Sequence, residues 1–300
     1  MPKSFSVDVL CVGYASFDLT MLVDHHPAAN EKCFASAMAE CGGGPAANAA
    51  VAVARLGGTS AFAGYLGDDS FGARHLAELA TEGVRTELVV RGPHATALSV
   101  ILVKPGGDRT VVAYKAADSG LREKEVDFSA CSAGAILFDG HQTAVSLPLA
   151  DAAGKSGIPT ILDAGSVREG TVALARKVDY LVASEKFALR FSGEQDPRKA
   201  LHVLGRTAPF AAITMGERGI LWKSGAEEGM MPAFSVDAID TTGAGDTFHG
   251  AFALGVSRGQ SMNTILEYAG AAAALCCTKA GARLGIPTHG EVERFLHARR

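Results

Sequence analysis

Asp246 is the side chain from which a chemistry can be read. It closes the run Asp240-Thr241-Thr242-Gly243-Ala244-Gly245-Asp246, which passes from a short strand starting at Ala238 through a glycine turn into a helix. Gly243 and Gly245 permit a sharp turn and leave successive backbone N–H groups unshielded. Those groups lie at a helix N-terminus, where unpaired donors and the positive end of the helix dipole favour an anion. A carboxylate beside that anion can accept the proton of an attacking hydroxyl. The order of residues therefore points to phosphoryl transfer, with the Gly243, Ala244 and Gly245 amides neutralising charge and Asp246 as the base. A capped helix after a glycine turn is the plainer reading of the same segment.

Other segments offer a ligand something to hold. Cys41-Gly42-Gly43-Gly44-Pro45-Ala46-Ala47-Asn48 leads into a predicted helix over 46–56. Its glycines allow close approach to the backbone, and Asn48 presents both a donor and an acceptor. Asp18 follows the first strand at its C-terminal end, and His141 follows the strand over 135–139, the edge where open α/β sheets bind ligands. Thr214-Met215-Gly216-Glu217-Arg218-Gly219 reads as a hairpin turn before Ile220-Leu221-Trp222. Rival motifs fail. Gly154-Lys155-Ser156 lacks the earlier glycine of a phosphate loop, having Leu149 there, and ends a helix instead of opening one. The histidines show no metal spacing: His25-His26 reads as an exposed turn and His249 as helix surface or packing. No G-x-S-x-G elbow or Cys-His arrangement is present.

The elements that must position these residues alternate. Apolar runs at 7–12, 60–65, 135–139, 160–163, 180–183 and 211–214 predict strands. Helical patterns at 46–56, 72–82, 145–156, 187–191, 197–207, 247–258, 262–279 and 289–298 lie among and after them. That alternation predicts βαβ units and a mostly parallel sheet covered on both faces. Two regions depart from it, at about 17–40 and 96–115, the second with a hairpin turn at Pro105-Gly106-Gly107-Asp108. Neither has room for a crossover helix, so both read as antiparallel excursions that together form a flap.

Composition bounds the rest. Three hundred residues, 48% of them hydrophobic, suffice for one large α/β domain spanning 1–300 with a small appendage. A net charge of −4 with no basic run argues against nucleic acid as a partner. The six cysteines lack C-x-x-C spacing and read as free thiols in a reducing compartment. No signal peptide precedes the first strand, and the longest apolar stretch, near 269–277, is too short for a bilayer. A cytoplasmic protein is expected.

The eleven residues from Asp240 to Gly250, DTTGAGDTFHG, strongly resemble the second signature of the PfkB (ribokinase-like) family of carbohydrate kinases. The Gly43, Gly44 and Asn48 segment resembles the first, although Pro45 and Ala46 replace the lysine and glycine usual in ribokinases. The resemblance runs from Val7 to about Pro287. It implies a three-layer α/β/α fold with a β-sheet lid often shared across a homodimer, and an ATP- and Mg²⁺-dependent kinase acting on a sugar hydroxyl. It also implies that Asp18, Gly43, Gly44 and Asn48 hold the sugar, and that Thr214, Gly216 and Gly219 lie on the nucleotide. Ser184 and Glu185 occupy the family's Asn-x-x-Glu place, with serine for asparagine; the resemblance implies that Glu185 organises magnesium-bound water, and a plain solvent-facing glutamate is the other reading. Potassium near Asp240 and Thr242 is implied as well. Within the family, Lys32, the GGGPAA block and the Gly281–Pro287 tail look like the sulfofructose kinases, where Lys32 and His141 would meet the substrate. Ala113 and His141 depart from that branch, which carries asparagine and arginine there. A protonated His141 would aid an anionic substrate below a pKa of about 6.5 if unperturbed. Nucleoside kinases and a catalytically silent sugar-binding regulator are the alternatives.

Overall fold

The computed structural model describes residues 4–105, 108–117 and 119–299. In chain order the first elements are β1 (Phe5–Val12), β2 (Ser16–Leu22), β3 (Ala37–Gly43), α1 (Pro45–Arg55), β4 (Ser60–Ala63), β5 (Tyr65–Gly67) and α2 (Ser70–Thr81). There follow β6 (Val90–Gly92), β7 (Leu98–Val103), β8 (Arg109–Tyr114), β9 (Cys131–Phe138), α3 (Thr143–Ser156), β10 (Thr160–Ala164), α4 (Glu169–Leu174) and β11 (Tyr180–Ser184). The chain continues through α5 (Glu185–Ser192), α6 (Pro197–Leu204), β12 (Phe210–Thr214), β13 (Ile220–Ser224) and β14 (Glu227–Met231). It ends with α7 (Ala244–Ser257), α8 (Met262–Cys276), α9 (Ala282–Gly285) and α10 (His289–His297).

The main sheet has the order β14-β13-β12-β11-β10-β9-β1-β4. It is parallel from β4 to β12 and closes with the antiparallel strands β13 and β14. Side chains alternate across it with the period of two that a strand imposes. Val9 and Cys11 of β1 join the core under α1, α7, α8 and α10, while Leu10 and Val12 join the core under α3, α5 and α6. The fold is thus the three-layer arrangement that the alternation predicts. Local chemistry sets the helix starts: Pro45 opens α1, Asp69 caps α2, Asp196 caps α6, and Thr288 with Glu291 forms a capping box on α10. Gly154-Lys155-Ser156 lies at the C-terminal end of α3, where Gly157 caps in the left-handed region. No helix among the described residues is long and apolar enough to cross a membrane.

The two excursions form a separate four-stranded sheet, β3-β2-β7-β8. It is not antiparallel throughout. Each excursion folds back on itself as an antiparallel pair, but β2 and β7, the first strand of each, meet in parallel register from Phe17 opposite Leu98 to Leu22 opposite Val103. Of the turn expected at 105–108, Gly106 and Gly107 lie outside the described residues.

Helices α1 and α7 lie close together because Gly250 has no side chain. A Cβ there would stand 2.6 Å from the Ala49 carbonyl oxygen and 2.8 Å from the Ala52 Cβ. Gly250→Ala therefore overpacks a backbone contact, and the propensity gain of about 1 kcal/mol does not offset an overpacking cost of about 1–3 kcal/mol. A loss of about 1–2 kcal/mol is expected in urea unfolding; an unchanged or raised midpoint would show that the helices part freely.

Candidate active site

Gly243 caps α7 with a φ of 79°, in the left-handed region that glycine alone adopts cheaply. An added Cβ would also stand 2.9 Å from the backbone of Ala282. Gly245 plays a different part from the one its spacing suggests. It is already helical, and nothing lies within 4 Å of where its Cβ would be, so it clears space above the helix terminus instead of making the turn. The short strand expected at 238–240 is absent. Ile239 and Asp240 both donate their N–H groups to the Cys277 carbonyl, at 2.8 and 3.2 Å, so the end of α8 holds this segment in place of a neighbouring strand. No side chain caps α7. The Ala244 N–H leans toward the Thr241 carbonyl at 3.4 Å and the Thr247 N–H bonds to Gly243 at 2.8 Å. Between them, the Gly245 and Asp246 N–H groups precede the first carbonyl the helix can offer.

Asp246 sits in this first turn, half-buried, and its Oδ2 accepts a 2.8 Å hydrogen bond from Asn48 Nδ2 on α1. Burial pushes its carboxyl up to about 7, and the nearby Asp163 carboxylate pushes the same way. The Asn48 hydrogen bond and His249 pull against that shift, and Asp139 adds a smaller upward push. His249 is buried packing beneath the turn, its ring between the carbonyls of Gly245 (2.7 Å) and Val182 (3.2 Å) and 3.4 Å from Asp163. A carboxyl near pH 7 is matched to taking a proton from an alcohol and returning it to water.

The opposite side of Asp246 is built by the small sheet and α1. Asp18 lies within β2, not in a loop after β1, and its buried Oδ1 accepts from Ser16 Oγ at 2.9 Å. Burial raises its pKa, while Ser16, Ser99 and Arg283 oppose the rise. Gly43 leaves room for it: an added Cβ would stand 2.1 Å from Asp18 Oδ2. Gly44 caps α1 with a φ of 97°. The His141 ring stacks on Tyr14 with centroids 4.6 Å apart. Burial lowers its pKa; Asp139 opposes this, and Arg168 and Lys115 lower it further. His141 is therefore neutral at pH 7, and the protonated role expected below 6.5 retreats to more acidic conditions. Lys32 is exposed, its ammonium 5.0 Å from the Phe34 ring centroid; among the described residues it contacts none of the site residues above.

The other side of α7 opens on a cleft of about 640 Å³. Thr214, Gly216 and Gly219 line one end, Ala244 and Gly245 the other, with Phe234 among the apolar groups between. Gly219 needs its φ of 86° and its missing side chain, since a Cβ would stand 2.1 Å from the Met231 carbonyl oxygen. Ser184 caps α5, accepting from the Phe187 N–H at 3.0 Å and donating to the Gly165 carbonyl at 2.9 Å. Glu185 pairs with Arg218. Asp240 Oδ1 accepts from the Thr242 N–H and hydroxyl at 2.9 and 2.6 Å, and Oδ2 from the Gly281 N–H at 2.9 Å. Arg109, from β8, donates to Thr242 Oγ1 at 2.8 Å. These hydrogen bonds tie the Asp240 and Thr242 side chains to Gly281, beyond the end of α8, and to the small sheet. Among the described residues no cluster of three or more His, Cys, Asp or Glu side chains could hold a metal ion.

Three contributors escaped the sequence reading. Asp139 accepts from the N–H groups of Tyr14 (2.7 Å), Ala46 (3.3 Å) and His141 (2.9 Å), tying two loops and the start of α1 together at the sheet edge. Arg283 lies buried behind Asn48, and Arg109 reaches in from the small sheet. Each acts through a partner remote in sequence. Only the buried position of Asp139 at the end of a strand could have drawn notice.

A cleft of about 640 Å³, a helix N-terminus with no side-chain cap and a carboxylate at its first turn are the parts of a phosphotransferase of the α/β type. Residues 7–289 match the pfkB family of carbohydrate kinases. The chain is 30% identical over 293 residues to a ribokinase of Bacillus subtilis, covering 96% of this chain and 99% of that protein. It is 30% identical over 275 residues to fructokinase-2 of Zea mays, covering 82% of each. It also resembles the structure of Arabidopsis thaliana ribokinase complexed with ribose and ATP, with a TM-score of 0.86 at 25% identity, over 97% of this chain and 99% of that one. The chain belongs to the pfkB family, and it is an ATP-dependent sugar kinase.

The raised pKa of Asp246 has a consequence for stability. Its folded value near 7 exceeds its unfolded value near 3.8, so the unfolded chain releases this proton first. Between those values the folded state binds more protons, and stability falls as pH rises through that window. Asp246→Asn removes the cost: the variant should gain about 1–3 kcal/mol over the parent at pH 8 relative to pH 4. Thermal unfolding of both proteins at the two pH values checks this, and a pH-independent difference would remove the burial argument.

Proposed function

We propose that this kinase phosphorylates a primary hydroxyl of a ketose or related sugar, with Asp246 as general base. The observation that carries the reading is the double placement of Asp246. It is bonded to Asn48 on the acceptor side and directly follows Ala244 and Gly245, which line the cleft. ATP would lie from the Thr214–Gly219 turn toward α7, its phosphates on the N–H groups there. The sugar would rest on Asp18, Gly43, Gly44 and Asn48. The acceptor oxygen attacks the γ-phosphorus as its proton passes to Asp246, and the bond to the bridging oxygen breaks to release ADP. Magnesium would enter on the phosphates and neutralise their charge, with Glu185 the carboxylate able to hold its water if Arg218 yields.

One observation favours an acidic sugar derivative, such as a sulfosugar, within that class. Lys115 lies 5.4 Å from the Tyr14 ring centroid, and both Lys115 and Arg168 act on His141, so two cations border the Tyr14–His141 stack. ATP turnover on D-ribose, D-fructose, 6-deoxy-6-sulfofructose and adenosine separates the possibilities. A sugar should be the best substrate, and Asp246→Asn should lower its turnover by about two to four decades while ATP binding persists. Adenosine outpacing every sugar, or an Asn variant within a few-fold of the parent, would sink the reading.

We also propose that residues 1–300 act as one catalytic domain whose small sheet is a lid, completed by a second copy of the chain in the cytoplasm. In support, Leu22, Met38, Val111, Val112 and Tyr114 of that sheet are exposed apolar side chains, and the cysteines are free thiols. Sedimentation at micromolar concentration should give a dimer, and Val112→Asp should shift it toward monomer. A parent that sediments as a monomer would refute the shared lid.

A further inference from the structure

Arg283 is the largest fully buried side chain, with 1% of its surface exposed. Its guanidinium reaches three partners at once. Nε and Nη2 donate to Asn48 Oδ1 at 3.3 and 3.2 Å, Nη2 also meets His75 Nε2 at 2.9 Å, and Nη1 lies 3.1 Å from Glu78 Oε1. Its own carbonyl accepts from Arg55 Nη1 at 2.7 Å, which anchors α9. Guanidinium nitrogens only donate. The Asn48 amide must therefore turn its oxygen toward Arg283, which leaves its NH₂ group facing Asp246 Oδ2 at 2.8 Å. His75 cannot reverse this arrangement. Burial, with Arg283 adding to it, lowers its pKa well below the ordinary value, so it is a neutral ring whose Nε2 accepts.

We infer that Arg283 is a positioning residue: by fixing the Asn48 amide it holds a hydrogen-bond donor on the catalytic base. This rests on Asp246 being the base, as proposed above. The donor favours the ionised carboxylate, opposing the burial that raises it. An Asn48 amide free to rotate would present oxygen to Asp246 part of the time, and the carboxyl would then hold its proton to higher pH. The other titratable groups facing Asp246 are Asp163 from β10, His249 from its own helix, Asp139 beyond β9 and Cys276 from α8. None of them touches Asn48 in the contacts described.

The test is the pH dependence of kcat/KM, which reports the free enzyme's essential base. D-ribose or D-fructose serves as substrate, whichever is turned over faster. Arg283→Gln offers Asn48 an acceptor as well as a donor. It should move the acid limb up by about one pH unit, lowering kcat/KM about tenfold below the midpoint and little on the plateau. Arg283→Lys keeps a donor-only cation and should stay near the parent midpoint. In an Asn48→Leu background, Arg283→Gln should produce no further shift, since its path to Asp246 is gone. An unmoved midpoint in Arg283→Gln, or an equal shift in the Asn48→Leu background, would overturn the inference while leaving Asp246 as the base. Asp246→Asn that keeps its turnover would instead remove the base itself. Should Arg283→Gln not fold, the Asn48 side-chain ¹⁵N resonance of the parent decides. It should titrate with a midpoint near pH 7 in the parent and lose that response in Asp246→Asn; a flat parent titration would overturn the inference.

Discussion

The closeness of α1 and α7 is the constraint from which the site follows. Asn48 stands at the start of one helix and Asp246 at the start of the other, and their side chains are short. A 2.8 Å hydrogen bond between them exists only because the backbones meet at Gly250 and Ala49, within a turn of those residues along each helix. The same contact aligns the two helix N-termini, one facing the small sheet and the other the nucleotide cleft. Small residues in α1, Ala46, Ala47, Ala49, Ala50 and Ala52, are fully buried by this packing. Bulk there would separate Asn48 from Asp246.

Around that contact the protein keeps several ionisable groups out of water. Asp163, Asp139, His249 and Arg283 are each less than a tenth exposed. Charges so placed need partners: His249 and Asp163 face each other at 3.4 Å, Asp139 accepts from three N–H groups, and Arg283 donates to Asn48 and lies beside Glu78, although its Nη1 makes no hydrogen bond. The arrangement leaves one carboxylate, that of Asp246, with a single neutral donor and two acidic neighbours. Its basicity is a product of the surroundings more than of the turn that carries it.

Much of this was legible in the sequence. Alternating apolar runs and helical patterns foretold the parallel sheet, because strand and helix periods are local properties. The two glycine-bearing segments were legible for the same reason: a left-handed cap such as Gly243 or Gly44 is specified within a few residues. What stayed hidden depends on distant partners. Asp18 was placed after the first strand, but it lies within a second sheet whose parallel centre joins Phe17 to Leu98. The segment at 238–240 has the apolar look of a strand, yet the end of α8 takes its N–H groups. Lys32 and the Asp240–Thr242 pair carried roles implied by resemblance. Their visible contacts, with Phe34 and with Arg109 and Gly281, could not be read from spacing. His141 keeps its ring against Tyr14, and burial decides its charge.

Polar contacts join the small sheet to the main body along a seam: the Gly42 N–H donates to Glu78, Glu40 pairs with Arg74, and Arg109 runs from β8 to Thr242 beside the α7 terminus. Asp18 belongs to the small sheet and Asp246 to the body. On the proposed reading, a sugar held by the first and deprotonated by the second would be a further strut between two bodies, alongside Arg109. Each added strut resists twisting, so on that reading a loaded enzyme would be stiffer at this seam than an empty one, with no new contact between the sheets themselves.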